Sequence, residues 1–141
     1  MLKNIPAIIP PDLIYNMMKM GHGDELVLAD GDFPVETFSN RVVYTCGHDI
    51  SPLLEAILQF FPLDPFVENP VAIMAPVDEN AAEPPNWIKY RSILKKSDSR
   101  FKDFEYVERF DFYKRANESF LVVATGEPDG NLILKKGVVM I

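Results

Sequence analysis

Residues 20–34 read MGHGDELVLADGDFP, and they contain the clearest strand signal in this chain of 141 residues. The segment from Glu25 to Ala29, with its apolar run, has the length and composition of a strand, and glycine and proline interrupt the chain directly after it. His22 precedes the run in a glycine-flanked turn, and Asp30 follows it. Because α/β folds place ligand sites at the carboxyl ends of their strands, we expect His22 and Asp30 to meet at one mouth. At such a mouth the two side chains could together supply general acid–base catalysis near neutral pH.

Strand and helix signals alternate along the rest of the chain. One helix is predicted to begin at Pro11, and a second follows an N-cap at Ser51. A third is predicted over 87–96, and a fourth begins at a cap at Asp111 and ends near residue 118. Further strands are predicted at 41–44, 71–74, 104–107, 120–124 and 132–134. With no internal repeat or linker, we expect one domain over residues 1–141. The alternation predicts a mostly parallel sheet with helices on both faces.

The composition excludes several classes of protein. Hydrophobic residues make up 48% of the chain, which argues against a disordered protein. The net charge of −7 argues against a nucleic-acid binder and against docking on an anionic membrane. The chain has one cysteine, Cys46, and no apparent secretory signal, and we therefore expect a cytoplasmic protein. We expect Cys46 to be buried and His48 to be a loop residue, and we predict neither a metal site nor a cofactor.

Three separated motifs carry a resemblance to a known family. The Gly-His-Gly-Asp-Glu turn with its strand and Asp30 is the first, the segment 107–116 (VERFDFYKRA) is the second, and the third joins Thr125-Gly126-Glu127 to residues 130–138 (GNLILKKGV). In this order and spacing the chain resembles the D-ribose pyranase / L-fucose mutarotase family, and is closer to its L-fucose branch. The resemblance implies a three-layer αβα arrangement. It also implies a ring-shaped homo-oligomer, a decamer, with sites at the subunit boundaries.

The resemblance also implies roles for individual residues. His22 matches the family's proton donor, and Asp30 matches a sugar-binding aspartate that contacts a hydroxyl or orients His22. Arg109 matches an arginine that contacts the sugar. Taken alone, His22 is better interpreted as a turn residue, Asp30 as the start of an Asx turn, and Arg109 as a surface charge; the resemblance reverses these interpretations. A divalent metal site formed by Asp30 and Asp32 is the weaker interpretation of the Asp-x-Asp pattern, because paired carboxylates on a solvated loop are common.

The last motif departs from the family pattern. The family has a tyrosine before its final Gly-Asn pair, whereas this chain has Asp129 before Gly130 and Asn131, in a loop about two residues shorter. The sugar-binding set is thus Asp30, Arg109, Asp129, Gly130 and Asn131. The expected function is mutarotation, the exchange of α and β anomers of a free monosaccharide such as L-fucose, without a cofactor. The alternative, motivated by Asp129, is a non-catalytic monosaccharide-binding or sugar-transport accessory protein.

Overall fold

The computed structural model describes residues 1–141 and contains six strands and four helices. The strands are β1 (Glu25–Ala29), β2 (Val42–Tyr44), β3 (Val71–Met74), β4 (Glu105–Val107), β5 (Leu121–Ala124) and β6 (Leu132–Lys135). The helices are α1 (Pro11–Lys19), α2 (Ile50–Ile57), α3 (Asn86–Ser97) and α4 (Arg109–Glu118). None of these helices has the length and apolar character needed to cross a membrane.

All six strands form one sheet in the order β2-β5-β1-β6-β3-β4. Strand β5 is parallel to both β1 and β2, and β3 is parallel to β4. Only β6 runs in the opposite direction, between β1 and β3. The predicted mostly parallel sheet is therefore confirmed. The side of the sheet where β1 to β5 end is called the carboxyl edge below, and the side where they begin is called the amino edge.

Helices cover both faces of the sheet, because alternate strand residues point to opposite faces. In β1, Leu26 and Leu28 pack in a large core with α1, α2 and α3, whereas Val27 and Ala29 pack in a smaller core with α4. All four of these strand side chains are fully buried. The resulting three layers confirm the αβα arrangement that the sequence predicted.

Three local expectations were wrong. Asp111 does not cap α4; the cap is Glu108, whose carboxylate accepts hydrogen bonds from the N–H groups of Phe110 and Asp111. Helix α2 begins at Ile50 rather than after Ser51, since the Ile50 N–H donates to the distant Glu127 carboxylate at 2.8 Å. Cys46 is exposed rather than buried, because it lies in a turn with a left-handed backbone angle of φ 55°.

Candidate functional site

A reciprocal pair of hydrogen bonds joins Asp30 to Asn131 at the carboxyl edge. The Asp30 N–H donates to Asn131 Oδ1 at 2.8 Å, and Asn131 Nδ2 donates back to Asp30 Oδ2 at 2.9 Å. This contact follows from the antiparallel register of β1 and β6, which pairs Leu28 with Leu132 and so brings the residues beyond them together. The Asn131 side chain therefore fixes the end of β1 through its oxygen, and its NH₂ group orients the Asp30 carboxylate.

The Asp30 carboxylate accepts two further hydrogen bonds but has an unfavourable environment for its charge. The N–H of Asp32 donates to Oδ1 at 3.1 Å, and the N–H of Gly130 donates to Oδ2 at 3.3 Å. Burial raises the pKa of Asp30 above its ordinary value, and the nearby Asp129 carboxylate adds to the rise, while the hydrogen bonds from Gly130, Asp32 and Asn131 only partly oppose it. A carboxylate held in this way accepts a proton more readily than an exposed aspartate does.

A cavity of about 280 Å³ opens beside this pair. Its walls come from the loop after β3, from the start of α3 and from the loop before β6; the lining includes Met74, Trp87, Asp129, Gly130 and Asn131. Asp129 is exposed, and its carbonyl accepts a hydrogen bond from Asn86 Nδ2 at 2.6 Å. Since the cavity has the dimensions of a small ligand and has polar groups on one wall, it is the candidate site on this edge.

A buried polar group supports the loop that carries Asp129, and the sequence analysis did not assign it a role. The Glu127 carboxylate accepts hydrogen bonds from the Ile50 N–H and, at 3.2 Å, from Asn86 Nδ2. Asn86 Nδ2 also lies 3.0 Å from the hydroxyl of Tyr90, which is fully buried. A glutamate between Gly126 and Pro128 gives a weak sequence signal, because its partners Ile50 and Asn86 lie far away in the chain.

Arg109 lies on the same edge, at the first position of α4. Its Nε donates to the Tyr113 hydroxyl at 3.0 Å, and its guanidinium lies over the rings of Phe110 and Tyr113 at 5.3 and 5.4 Å. Tyr113 stacks on Phe38 and meets Phe33 edge to face, which ties α4 to the loop that follows Asp30. The aromatic cluster therefore fixes a guanidinium whose remaining donors are free for hydroxyl oxygens.

His22 lies on the opposite, amino edge of the sheet. The N–H of Gly23 donates to the carbonyl of Lys136, just after the end of β6. His22 Nε2 lies 3.1 Å from Oδ1 of Asp64, and the same oxygen accepts the Phe66 N–H at 3.0 Å. The Asp64 side chain is only 5% exposed, whereas His22 is 45% exposed. Asp64 therefore orients a histidine ring that solvent or a ligand can reach.

The expectation that His22 and Asp30 meet at one mouth is wrong within a single chain. Strand β1 lies between them, and its five residues alone span ~15 Å. The residue that orients His22 is Asp64 and not Asp30. Sequence reasoning missed Asp64 because its contact spans 42 positions, although a lone acid between apolar and proline residues was a usable signal.

The Asp64 carboxylate is stabilised in its charged form. Burial tends to raise its pKa, but the Phe66 N–H, the His22 ring and the charge of Lys135 together hold the pKa of Asp64 below its ordinary value.

Nowhere in the chain do three or more His, Cys, Asp or Glu side chains gather as a metal-ion site would need. The two edges thus present different chemistry: a histidine with its aspartate on one, and a carboxylate, an amide and a guanidinium on the other.

Comparison with known proteins gives consistent matches. The model of the RbsD / FucU transport protein family matches residues 3–139. The fucose mutarotase of Mus musculus is 45% identical over 144 residues, which cover 96% of this chain and 94% of that protein. The crystal structure of a fucose mutarotase in complex with L-fucose from Streptococcus pneumoniae superposes with a TM-score of 0.90 at 39% identity, over 99% of this chain and 100% of that one. The FucU structure from Bifidobacterium longum gives 0.92 at 43% identity, over 98% and 100% of the two chains.

We predict that Asp64→Asn lowers stability in a pH-dependent way. A folded-state pKa below the unfolded value gives stability that is fully present above about pH 4 and is lost as the pH falls through the folded pKa. Urea denaturation of wild type and variant should therefore differ by about 1 kcal/mol at pH 7, where a charged acceptor is replaced by a neutral one. The difference should shrink toward pH 3.

The matched control is Glu79→Gln, which removes a carboxylate from an exposed loop. It should change stability by less than about 0.5 kcal/mol at either pH. An Asp64→Asn difference that is the same at pH 7 and pH 3 would contradict the assigned electrostatic role.

Proposed function

Because this chain belongs to the RbsD / FucU transport protein family, we propose that it is a sugar mutarotase that interconverts the α and β anomers of L-fucose or a related free monosaccharide. Residues 1–141 act as one mutarotase-like domain in the cytoplasm. The observation that carries the proposal is the pair of groups at the two edges, a histidine oriented by Asp64 and a carboxylate oriented by Asn131.

The reaction needs the kinds of group that the two edges present. Ring opening requires a base that takes the proton of the anomeric hydroxyl and an acid that protonates the ring oxygen, and closure reverses both transfers. Each such proton transfer contributes about 10²- to 10⁴-fold to the rate. His22 is the proton donor to the ring oxygen, and Asp30, with its raised pKa, accepts the hydroxyl proton. Neither step requires a cofactor or a covalent intermediate.

One sugar cannot reach both groups in one chain, since β1 separates them, and the proposal therefore requires a second copy. The amino edge of one copy, with His22, contacts the carboxyl edge of the next, with Asp30 and Arg109. Such a contact joins two different surfaces, so repetition closes a ring when the rotation allows it. The family resemblance supports a ring, and we propose that it is a decamer. Asp129, Gly130 and Asn131 belong to the sugar-binding side of each site.

Exposed apolar side chains on both edges support this assembly. Large hydrophobic side chains are exposed on both sides of the sheet in the single chain; they are Met18, Phe60, Phe66, Val139 and Met140 on the amino side and Tyr44, Val77 and Phe110 on the other. Exposed apolar groups that gather in this way mark surfaces for association.

We predict that His22→Ala lowers catalysed anomer exchange of L-fucose at least tenfold. The alanine variant lacks the proton donor but keeps the turn, because the Gly21 N–H donates to the Asp24 carboxylate and the Gly23 N–H donates to the Lys136 carbonyl, and neither bond involves the His22 ring. Saturation-transfer NMR measures the exchange directly. His48→Ala, which removes the only other histidine from an exposed loop, is the matched control and should retain the wild-type rate.

The NMR experiment also separates the two candidate functions. A wild-type protein that accelerates exchange in catalytic amounts is an enzyme. If it binds the sugar without accelerating exchange, it is instead the sugar-binding or transport-accessory protein, and the mutarotase proposal fails.

We predict that Asp129 tunes rate or sugar choice. An ionised aspartate only accepts hydrogen bonds, whereas the tyrosine of the family pattern also donates one. Asp129→Tyr should raise the exchange rate or change the preferred sugar in a panel of L-fucose, D-ribose, D-galactose and D-glucose. Asp129→Asn is the control that removes the charge without adding a ring. Identical rates and preferences in all three proteins would make Asp129 a surface residue without a role.

A further inference from the structure

Phe66 is a large apolar side chain in an unusual place, since its ring lies beside the proposed proton donor. The Phe66 and His22 ring centroids are 5.5 Å apart with an interplanar angle of 52°. Phe66 is nevertheless 69% exposed, so most of its ring faces away from the protein's own core. An exposed phenylalanine that packs against a solvent-accessible catalytic histidine presents an apolar surface to whatever that histidine contacts.

The two rings are held in a fixed relation by one oxygen atom. Asp64 Oδ1 accepts the Phe66 N–H at 3.0 Å and lies 3.1 Å from His22 Nε2. Asp64 itself is buried, and its N–H donates to the carbonyl of Lys135 at 3.0 Å, so it is anchored to the end of β6. The segment that carries Phe66 therefore keeps its position relative to His22 when a ligand arrives.

The chemistry of the sugar determines what lies next to the ring oxygen. In a pyranose the ring oxygen is bonded to C1, the anomeric carbon, and to C5, which carries C6. A group that donates a proton to this oxygen therefore has C6 as a close neighbour. In L-fucose C6 is a methyl group, whereas in L-galactose, which is otherwise identical, C6 carries a hydroxyl.

We propose that the Phe66 ring receives the C6 methyl group and makes the site selective for 6-deoxy sugars. This inference rests on the proposed mutarotase function and on His22 as the donor to the ring oxygen. A methyl group on an aromatic face buries apolar surface, while a C6 hydroxyl in the same place loses hydrogen bonds with water and gains none from the ring. Discrimination on such a surface is about 10- to 100-fold.

The test is the ratio of L-fucose to L-galactose, measured both as kcat/KM for anomer exchange and as Kd by calorimetry. We expect wild type to prefer L-fucose at least tenfold and Phe66→Ser to reduce that ratio at least fivefold. Phe66→Tyr keeps the ring and should retain most of the ratio. Tyr15→Ala removes an exposed aromatic ring from α1 and should leave the ratio unchanged.

The outcomes separate this inference from the proposed function. A wild-type protein without exchange activity overturns the mutarotase proposal, and the Kd ratio of Phe66→Ser still tests the ring as a C6 contact. If wild type is active and Phe66→Ser keeps its ratio, the inference is wrong. It is also wrong if Tyr15→Ala changes the ratio as much as Phe66→Ser does, because the ratio then does not depend on the ring beside His22.

Discussion

Strand β1 keeps His22 and Asp30 on opposite edges of one sheet, and the proposed mechanism depends on this separation. The strand is central, with β5 on one side and β6 on the other, and four of its five residues are fully buried. It cannot bend or shift register without moving apolar side chains to the wrong face. The two proposed catalytic groups are therefore rigidly held but unable to act together within one chain, so the proposed mechanism requires assembly.

On each edge of the sheet, hydrogen bonds hold a titratable side chain in one orientation: Asp30 on the carboxyl edge and His22 on the amino edge. On the carboxyl edge, both amide groups of Asn131 hydrogen-bond to Asp30, and burial raises the pKa of that carboxylate. On the amino edge, Asp64 is buried but accepts enough hydrogen bonds to have a lowered pKa. The pKa of Asp30, which is proposed to exchange protons, is thus raised, whereas the pKa of Asp64, which is proposed only to orient His22, is lowered.

The sequence predicted those features that depend on local pattern. The bounds of β1 and β3 agree with the structure, since an apolar run between chain breakers is a local signal. The cap of α4 and the start of α2 were missed because Glu108 competes with Asp111 and because Glu127 reaches Ile50 from far along the chain. Asp64 was missed for the same reason. The opposite placement of His22 and Asp30 depends on strand direction, which the segment 20–34 alone does not reveal.

Mixed assembly of two inactive variants tests the central claim, that each sugar site takes His22 from one copy and Asp30 from another. His22→Ala and Asp30→Ala chains are unfolded together, refolded at equal amounts and assayed for L-fucose anomer exchange. If neighbouring copies share each site, about one quarter of the sites in the mixture regain both groups, and activity returns well above that of either parent. Mixed assemblies that remain as inactive as both parents would contradict the account.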